Sequence, residues 1–173
     1  KYNFDGKLIS RELDGSINSS TYGATIKRSK KLANALTKLG VDIHDRVATI
    51  AWNNSRHFET YFAVSGMGAI LHTLNPRYSP DQLIYILNHA EDTVLIIDAT
   101  FIPLVESVQD RLDTVETIIV TSSLDTIPEN NLKNVLSYEE LIKDESDQYD
   151  WPELDEDDAA SLCYTSGTTG NPK

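Results

Sequence analysis

The chain is short of cysteine, methionine and basic residues, and each shortage excludes something. Cys163 is the one cysteine among 173 residues, so no internal disulfide can form and a reducing, cytoplasmic setting is the expectation. No apolar run approaches the roughly 18 residues of a membrane-spanning helix. The first 20 residues are polar, without the apolar stretch of a signal peptide. The four histidines, His44, His57, His72 and His89, match no zinc-site spacing. Bases number 15 against 27 acids, a net charge of −12. Residues 129–158 hold 12 acids and two bases, which leaves −2 for everything else. That balance argues against nucleic acid or an anionic membrane as partner, because both require basic surface. The acidic run itself reads as a solvated connecting segment.

What remains is ordinary globular composition, 40% hydrophobic and 24% charged. Residue 1 is Lys, the one methionine is Met67, and the chain stops within its most informative motif. It reads as the N-terminal portion of a longer protein.

Residues 8–22 predict a hairpin, with Asp14-Gly15 suited to a type I′ turn. A helix follows, with Tyr22, Ile26, Ser29, Leu32, Ala33, Leu36 and Leu39 at helical spacing and Gly40 as its stop. Its lysines and Arg28 are expected to face water. A second helix is predicted from about Ser55 to Met67, with Phe58, Tyr61, Phe62 and Ser65 turned inward. Ser79-Pro80 starts a third, with Leu83, Ile84, Ile86, Leu87 and Ala90 inside. A fourth is expected over 101–112 and a short one over 137–143. Strands are predicted over 47–51, 69–74, 93–98, 116–121 and 159–164, with loop over 122–133 and the acidic connection over 144–158. The run Thr93-Val94-Leu95-Ile96-Ile97-Asp98 does not alternate, as expected of a strand buried on both faces of a parallel sheet. Strands alternating with helices over 22–121 make an α/β fold around a mostly parallel sheet, preceded by a hairpin.

Chemistry concentrates in Thr165-Ser166-Gly167-Thr168-Thr169-Gly170-Asn171-Pro172-Lys173. The glycines let backbone N–H groups close on an anion, and turn-conformation N–H groups form a nest for phosphate oxygens. Thr165, Ser166, Thr168 and Thr169 add hydroxyl donors, and Lys173 adds a cation. The segment follows a predicted strand, and ligands of α/β sheets sit at strand carboxyl ends. It is not a Walker A loop, because Gly170 is followed by Asn171 rather than Lys. On composition alone, a flexible surface linker is the competing reading.

With Tyr164 included, this segment resembles the phosphate-binding signature of the adenylate-forming superfamily. The similarity continues upstream through Asp45-Arg46-Val47-Ala48, Gly68-Ala69, Leu74-Asn75-Pro76-Arg77, Tyr85-Ile86-Leu87, Trp151-Pro152 and Asp157-Asp158-Ala159-Ala160. The pattern is similar to the medium- and long-chain acyl-CoA synthetase branch. Within it, Ala51-Trp52-Asn53, Arg56-His57, Val64-Ser65-Gly66 and Asn88-His89-Ala90-Glu91-Asp92 look most like 3-methylmercaptopropionyl-CoA ligases. The resemblance implies a partial AMP-binding domain over 1–173, the phosphate loop at 165–173, and a C-terminal domain beyond. It implies ATP with Mg2+, a carboxylic acid and coenzyme A as partners, with Thr168 as a Mg2+ ligand, and it is compatible with a homodimer. No catalytic residue is expected within 1–173, which alone should be inactive. Two other readings stay open at this point: a non-catalytic phosphate- or nucleotide-binding module, and an adenylation enzyme that passes its acyl group to a carrier protein.

Other residues have plainer readings. Asp98 ends a buried strand, where a phosphoacceptor or a cap for the helix near Phe101 could sit. Cys163 is expected to be buried packing rather than a nucleophile. His44 suits a loop role, and His57 and His89 structural or surface roles. Asn75-Pro76-Arg77 reads as a strand-to-helix turn, with a substrate channel as the alternative.

Overall fold

The computed structural model describes residues 3–12, 14–122, 126–165 and 172–173. Strands β1 (Lys7–Arg11) and β2 (Ile17–Thr21) pair antiparallel, from Lys7 opposite Thr21 to Arg11 opposite Ile17. Gly15 takes a φ of 86° and its N–H donates to Glu12 O at 3.0 Å, whereas the anticipated type I′ turn would join residues 13 and 16. A longer loop forms instead, closed by Glu12 N–H to Ser16 O at 2.9 Å, and Asp14 Oδ1 accepts from Ser16 N–H.

Helix α1 (Tyr22–Lys38) is capped by the Thr21 hydroxyl, which accepts from Ala24 N–H. At its other end Gly40, with φ 90°, lets the Gly40 and Val41 N–H groups return to the Thr37 and Leu36 carbonyls. That is a Schellman motif. Strand β3 (Arg46–Ile50) leads to α2 (Ser55–Gly66), β4 (Ile70–Thr73) and α3 (Pro80–Ala90), where Ser79 and Gln82 form a capping box. Next come β5 (Val94–Ile97), α4 (Ile102–Val108) and β6 (Thr117–Val120). Pro103 stands in the first turn of α4, and single 3-10 turns bracket that helix, so the expected 101–112 helix is broken into three pieces. Strand β7 (Val135–Ser137), not anticipated, precedes α5 (Tyr138–Lys143), and β8 (Ser161–Leu162) is shorter than the strand expected over 159–164.

The six strands β3 to β8 form one sheet in the order β7-β6-β5-β3-β4-β8, with every pairing parallel. Alternate residues feed opposite faces. Ala48, Ile50, Leu95, Ile97, Ile118 and Val120 pack with α3 and α4, and Val47, Leu71, Val94, Ile96 and Ile119 pack with α1, α2 and α5. Leu87, Leu95, Ile97 and Val105 are fully buried, each worth about 1.5–3 kcal/mol relative to exposure.

Helix α2 sits opposite to expectation. Its buried residues are Ser55, His57, Glu59, Thr60, Ala63 and Val64, whereas Tyr61 and Phe62 are 41% and 54% exposed. Small and polar side chains let α2 lie close against α1, where the Ser29 hydroxyl donates to the Glu59 carbonyl at 3.0 Å. The aromatics face out, lining hollows with Phe4, Tyr22 and Ile26.

Charged groups join these helices. Arg28 of α1 donates to Glu59 of α2 at 2.7 Å and to both carboxylate oxygens of Glu139 in α5. Arg56 donates to Glu139 and to Glu12 beside the hairpin, and the fully buried Tyr138 hydroxyl donates to Glu59 at 2.7 Å. Burial disfavours the Glu139 carboxylate, but hydrogen bonds and charge from Arg28 and Arg56 outweigh it and hold its pKa below the ordinary value.

The acidic connection is mostly exposed, yet it is tied along α1. Lys38 pairs with Glu145 at 2.7 Å, Lys27 with Asp147 at 3.3 Å, and the Asn34 amide donates to the Ser146 and Gln148 carbonyls. The bases expected to face water thus meet the acidic segment.

Removing one partner of a buried pair leaves the other charge uncompensated. Arg28→Met is expected to cost about 3 kcal/mol. Adding Glu59→Gln, which removes the stranded charge and keeps an acceptor for Tyr138, should recover part of it. Urea midpoints of the full-length variants measure this, and a double variant less stable than Arg28→Met would contradict it.

Candidate functional site

With every strand parallel, all carboxyl ends share one edge of the sheet. Crossovers leave β3 toward the α2 face, and leave β4 and β5 toward the α3 and α4 face. Connections that diverge this way open crevices beside β3 at that edge. Strand β8 pairs with β4, Leu71 opposite Ser161 and His72 opposite Leu162, so the chain leaving β8 emerges at the same edge. Further support comes from Leu71 N–H and the Ser65 hydroxyl, both donating to Ala160 O.

Of the nine motif residues, Thr165, Pro172 and Lys173 are described, whereas Ser166, Gly167, Thr168, Thr169, Gly170 and Asn171 lie outside the described residues. The described ends meet. Thr165 N–H donates to Lys173 O at 2.8 Å, Lys173 N–H donates to Thr165 O at 3.3 Å, and the Thr165 hydroxyl donates to Lys173 O at 3.2 Å. Pro172 is buried and Lys173 exposed. The two described ends of the motif are therefore joined to each other.

Tyr164, just before the loop, is surrounded by rings. Its hydroxyl is 2.5 Å from His89 Nδ1, its carbonyl accepts from the Tyr78 hydroxyl at 3.0 Å, and its ring lies 5.2 Å from that of His72. His72 Nδ1 is 2.7 Å from Asp92 Oδ2, and both side chains are wholly buried. Burial raises the Asp92 pKa, an effect that His72 and Arg46 only partly offset. Nothing in the spacing of His72 and Asp92 announced this pair; the cue is a histidine within the apolar run Ala69-Ile70-Leu71-His72.

Asp98 caps no helix with its side chain. Its carboxylate accepts from Trp52 N–H at 2.6 Å, from the Asn54 amide and from the Thr121 hydroxyl. Asn54 in turn caps α2 by accepting from His57 N–H. Asp98 thus ties together the exits of β3, β5 and β6. Cys163 is exposed rather than buried, because β8 is an edge strand only two residues long. His57 is buried against the Thr49 hydroxyl, and burial lowers its pKa. His44 takes a φ of 70° in its loop. In the turn after β4, Arg77 N–H donates to Asn75 Oδ1 and Tyr78 N–H to Asn75 O. Among the described residues no three His, Cys, Asp or Glu side chains could together hold a metal, and no helix is long and apolar enough to cross a membrane.

This parallel sheet and the sequence it carries have counterparts of known kind. The family of AMP-binding enzymes matches residues 7–173. The chain belongs to the AMP-binding enzyme family. A 3-methylmercaptopropionyl-CoA ligase of Ruegeria pomeroyi is 44% identical over 173 residues, which are 100% of this chain and 32% of that protein. A medium-chain-fatty-acid–CoA ligase of Ectopseudomonas oleovorans is 43% identical over the same extent. The crystal structure of the anthranilate CoA ligase AuaEII in complex with anthranoyl-AMP superposes with a TM-score of 0.82 at 28% identity, covering 90% of this chain and 29% of that one. The chain spans about a third of the length of the curated relatives it matches. Within the family fold, the parallel sheet with its leading hairpin is the observed architecture.

Asp98→Ala would strand the Trp52 N–H and the Asn54 amide, each unmet donor costing about 1–3 kcal/mol. The expected outcome is a lower melting temperature in the full-length protein with turnover kept at low temperature. Loss of turnover at unchanged melting temperature would restore a chemical role for Asp98.

Proposed function

We propose that the whole protein is an AMP-forming acid–thiol ligase. A carboxylate oxygen attacks the α-phosphorus of MgATP and displaces pyrophosphate. Coenzyme A thiolate then attacks the acyl carbonyl and displaces AMP, which keeps the carboxylate oxygen. The observation that carries this reading is that the motif of residues 165–173 starts at the carboxyl edge of a parallel sheet, with its ends, Thr165 and Lys173, hydrogen-bonded to each other. Two acyl-CoA ligases that match the entire chain support it.

The first step brings an anion against a triphosphate, so its barrier is electrostatic. Donors fixed around the departing pyrophosphate neutralise charge without reorganising during the reaction. Thr165, Ser166, Gly167, Thr168, Thr169, Gly170, Asn171 and Lys173 supply them, as backbone N–H groups, four hydroxyls and one ammonium, whereas Pro172 has no N–H to give. Mg2+ arrives with ATP, and the Thr168 hydroxyl is its ligand from this segment. Residues 1–173 alone hold one side of such a site and are expected to release no pyrophosphate.

Pyrophosphate is present only in the first half-reaction. Lys173→Ala or Thr168→Ala in the full-length protein should slow adenylation by about 100-fold, roughly 3 kcal/mol. Thioester formation from preformed acyl-adenylate should change far less. Rapid-quench assays of each half-reaction measure this; equal losses in both would contradict it.

For the acid, we propose a short to medium linear carboxylate such as 3-methylmercaptopropionate or a fatty acid. An α-ammonium group would need a dedicated buried counter-charge, whereas one methylene more or less changes binding by only about 1–3 kcal/mol. Pyrophosphate release across linear acids and amino acids, with and without coenzyme A, should favour the linear acids and require coenzyme A for thioester product. Preference for an amino acid would overturn this assignment.

A further inference from the structure

We propose that Tyr164 is a positioning residue for the phosphate loop, held by a ring clamp whose base is the buried His72–Asp92 pair. The proposal rests on reading residues 165–173 as the pyrophosphate site. Backbone pairing alone anchors the loop poorly, because β8 contributes only Ser161 and Leu162 to the sheet, at its edge. Yet the residue that starts the loop is gripped from several elements at once. Tyr78, in the turn after β4, donates its hydroxyl to the Tyr164 carbonyl at 3.0 Å. His89 of α3 meets the Tyr164 hydroxyl at 2.5 Å and its ring edge-on at 5.8 Å, while stacking on Tyr85 at 5.2 Å. Beneath, the His72 ring of β4 packs against Tyr164 with centroids 5.2 Å apart.

The His72–Asp92 pair makes sense as the base of that clamp. A buried ionisable pair adds little stability over an apolar one of the same size. Here it is not even fully satisfied: His72 Nε2 and Asp92 Oδ1 have no hydrogen-bond partner among the described residues. What the 2.7 Å bond from Nδ1 does achieve is to fix the plane of the imidazole, as a carboxylate orients a histidine elsewhere. A fixed plane gives Tyr164 one seat. The consequence passes along the chain, since Thr165 follows Tyr164 and is hydrogen-bonded through its backbone to Lys173 in both directions. Fixing Tyr164 therefore fixes where the loop's cation starts.

The test uses the full-length protein with Tyr164→Ala, Tyr164→Phe, His72→Ala and, beside them, Lys173→Ala. Misplacing a catalytic group by about 1 Å can cost about 100-fold. Tyr164→Ala is expected to lower kcat/KM for ATP in adenylation at least about tenfold, with thioester formation from preformed acyl-adenylate unchanged. Tyr164→Phe, which keeps the ring contacts, should stay close to wild type, and His72→Ala should follow Tyr164→Ala. Tyr164 is only half-buried at the sheet edge, so Tyr164→Ala decides the matter even if His72→Ala fails to fold. If Lys173→Ala slows adenylation and Tyr164→Ala does not, the clamp is wrong while the loop assignment stands. If Lys173→Ala has no effect, both fall. Equal loss of the two half-reactions in Tyr164→Ala also overturns the proposal, because a merely structural defect would act that way.

Discussion

Parallel pairing is the constraint from which most of this structure follows. Six strands running one way cannot be joined by tight turns, so each connection must cross a face of the sheet. Both faces are thereby covered, which is why β5 is buried along its whole length. The same rule sends every strand exit to a single edge. Asp98 after β5, Trp52 and Asn54 after β3, the Asn75 turn after β4 and Tyr164 after β8 all stand there because of strand direction. A site built at that edge draws on four exits without any of them needing a long loop.

Covering the α1, α2 and α5 face calls for more than apolar packing. Helix α5 has six residues and would not be stable alone. It is fastened by Tyr138, fully buried, and by Glu139, which shares its carboxylate between Arg28 and Arg56. The three acids Glu12, Glu59 and Glu139 against two guanidiniums form one network that joins hairpin, α1, α2 and α5. The surface pairs between α1 and the acidic connection are individually weak, because solvent screens exposed charges, but they orient a segment that has little apolar area to bury.

Local chemistry made much of this legible in the sequence. The Ser79-Pro80 start of α3, the Gly40 stop of α1 and the unbroken apolar run of β5 depend on neighbours within a few residues, and they stand where the spacing puts them. The segment 165–173 stands out in the sequence for the same reason, since its glycines, hydroxyls and lysine are contiguous. Failures came where tertiary context outweighs local pattern. On α2 the aromatics looked like the core face, but close approach to α1 selected Ala63, Thr60 and His57 instead. Cys163 directly follows an edge strand, and edge position is a property of the whole sheet. Strand β7 is three residues long, too short for periodicity to register. The His72–Asp92 pair joins residues 20 apart through the crossover of α3, so no spacing rule could find it.

The central claim is that a carboxylate oxygen of the substrate acid bonds to the α-phosphorus of ATP. Isotope transfer tests it most directly. The full-length protein would be supplied with an acid labelled with 18O in both carboxylate oxygens, together with MgATP and coenzyme A, and the nucleotide product analysed by mass spectrometry. The account predicts AMP carrying one 18O on its phosphate, with unlabelled pyrophosphate. Labelled inorganic phosphate alongside ADP, or AMP without label, would contradict it.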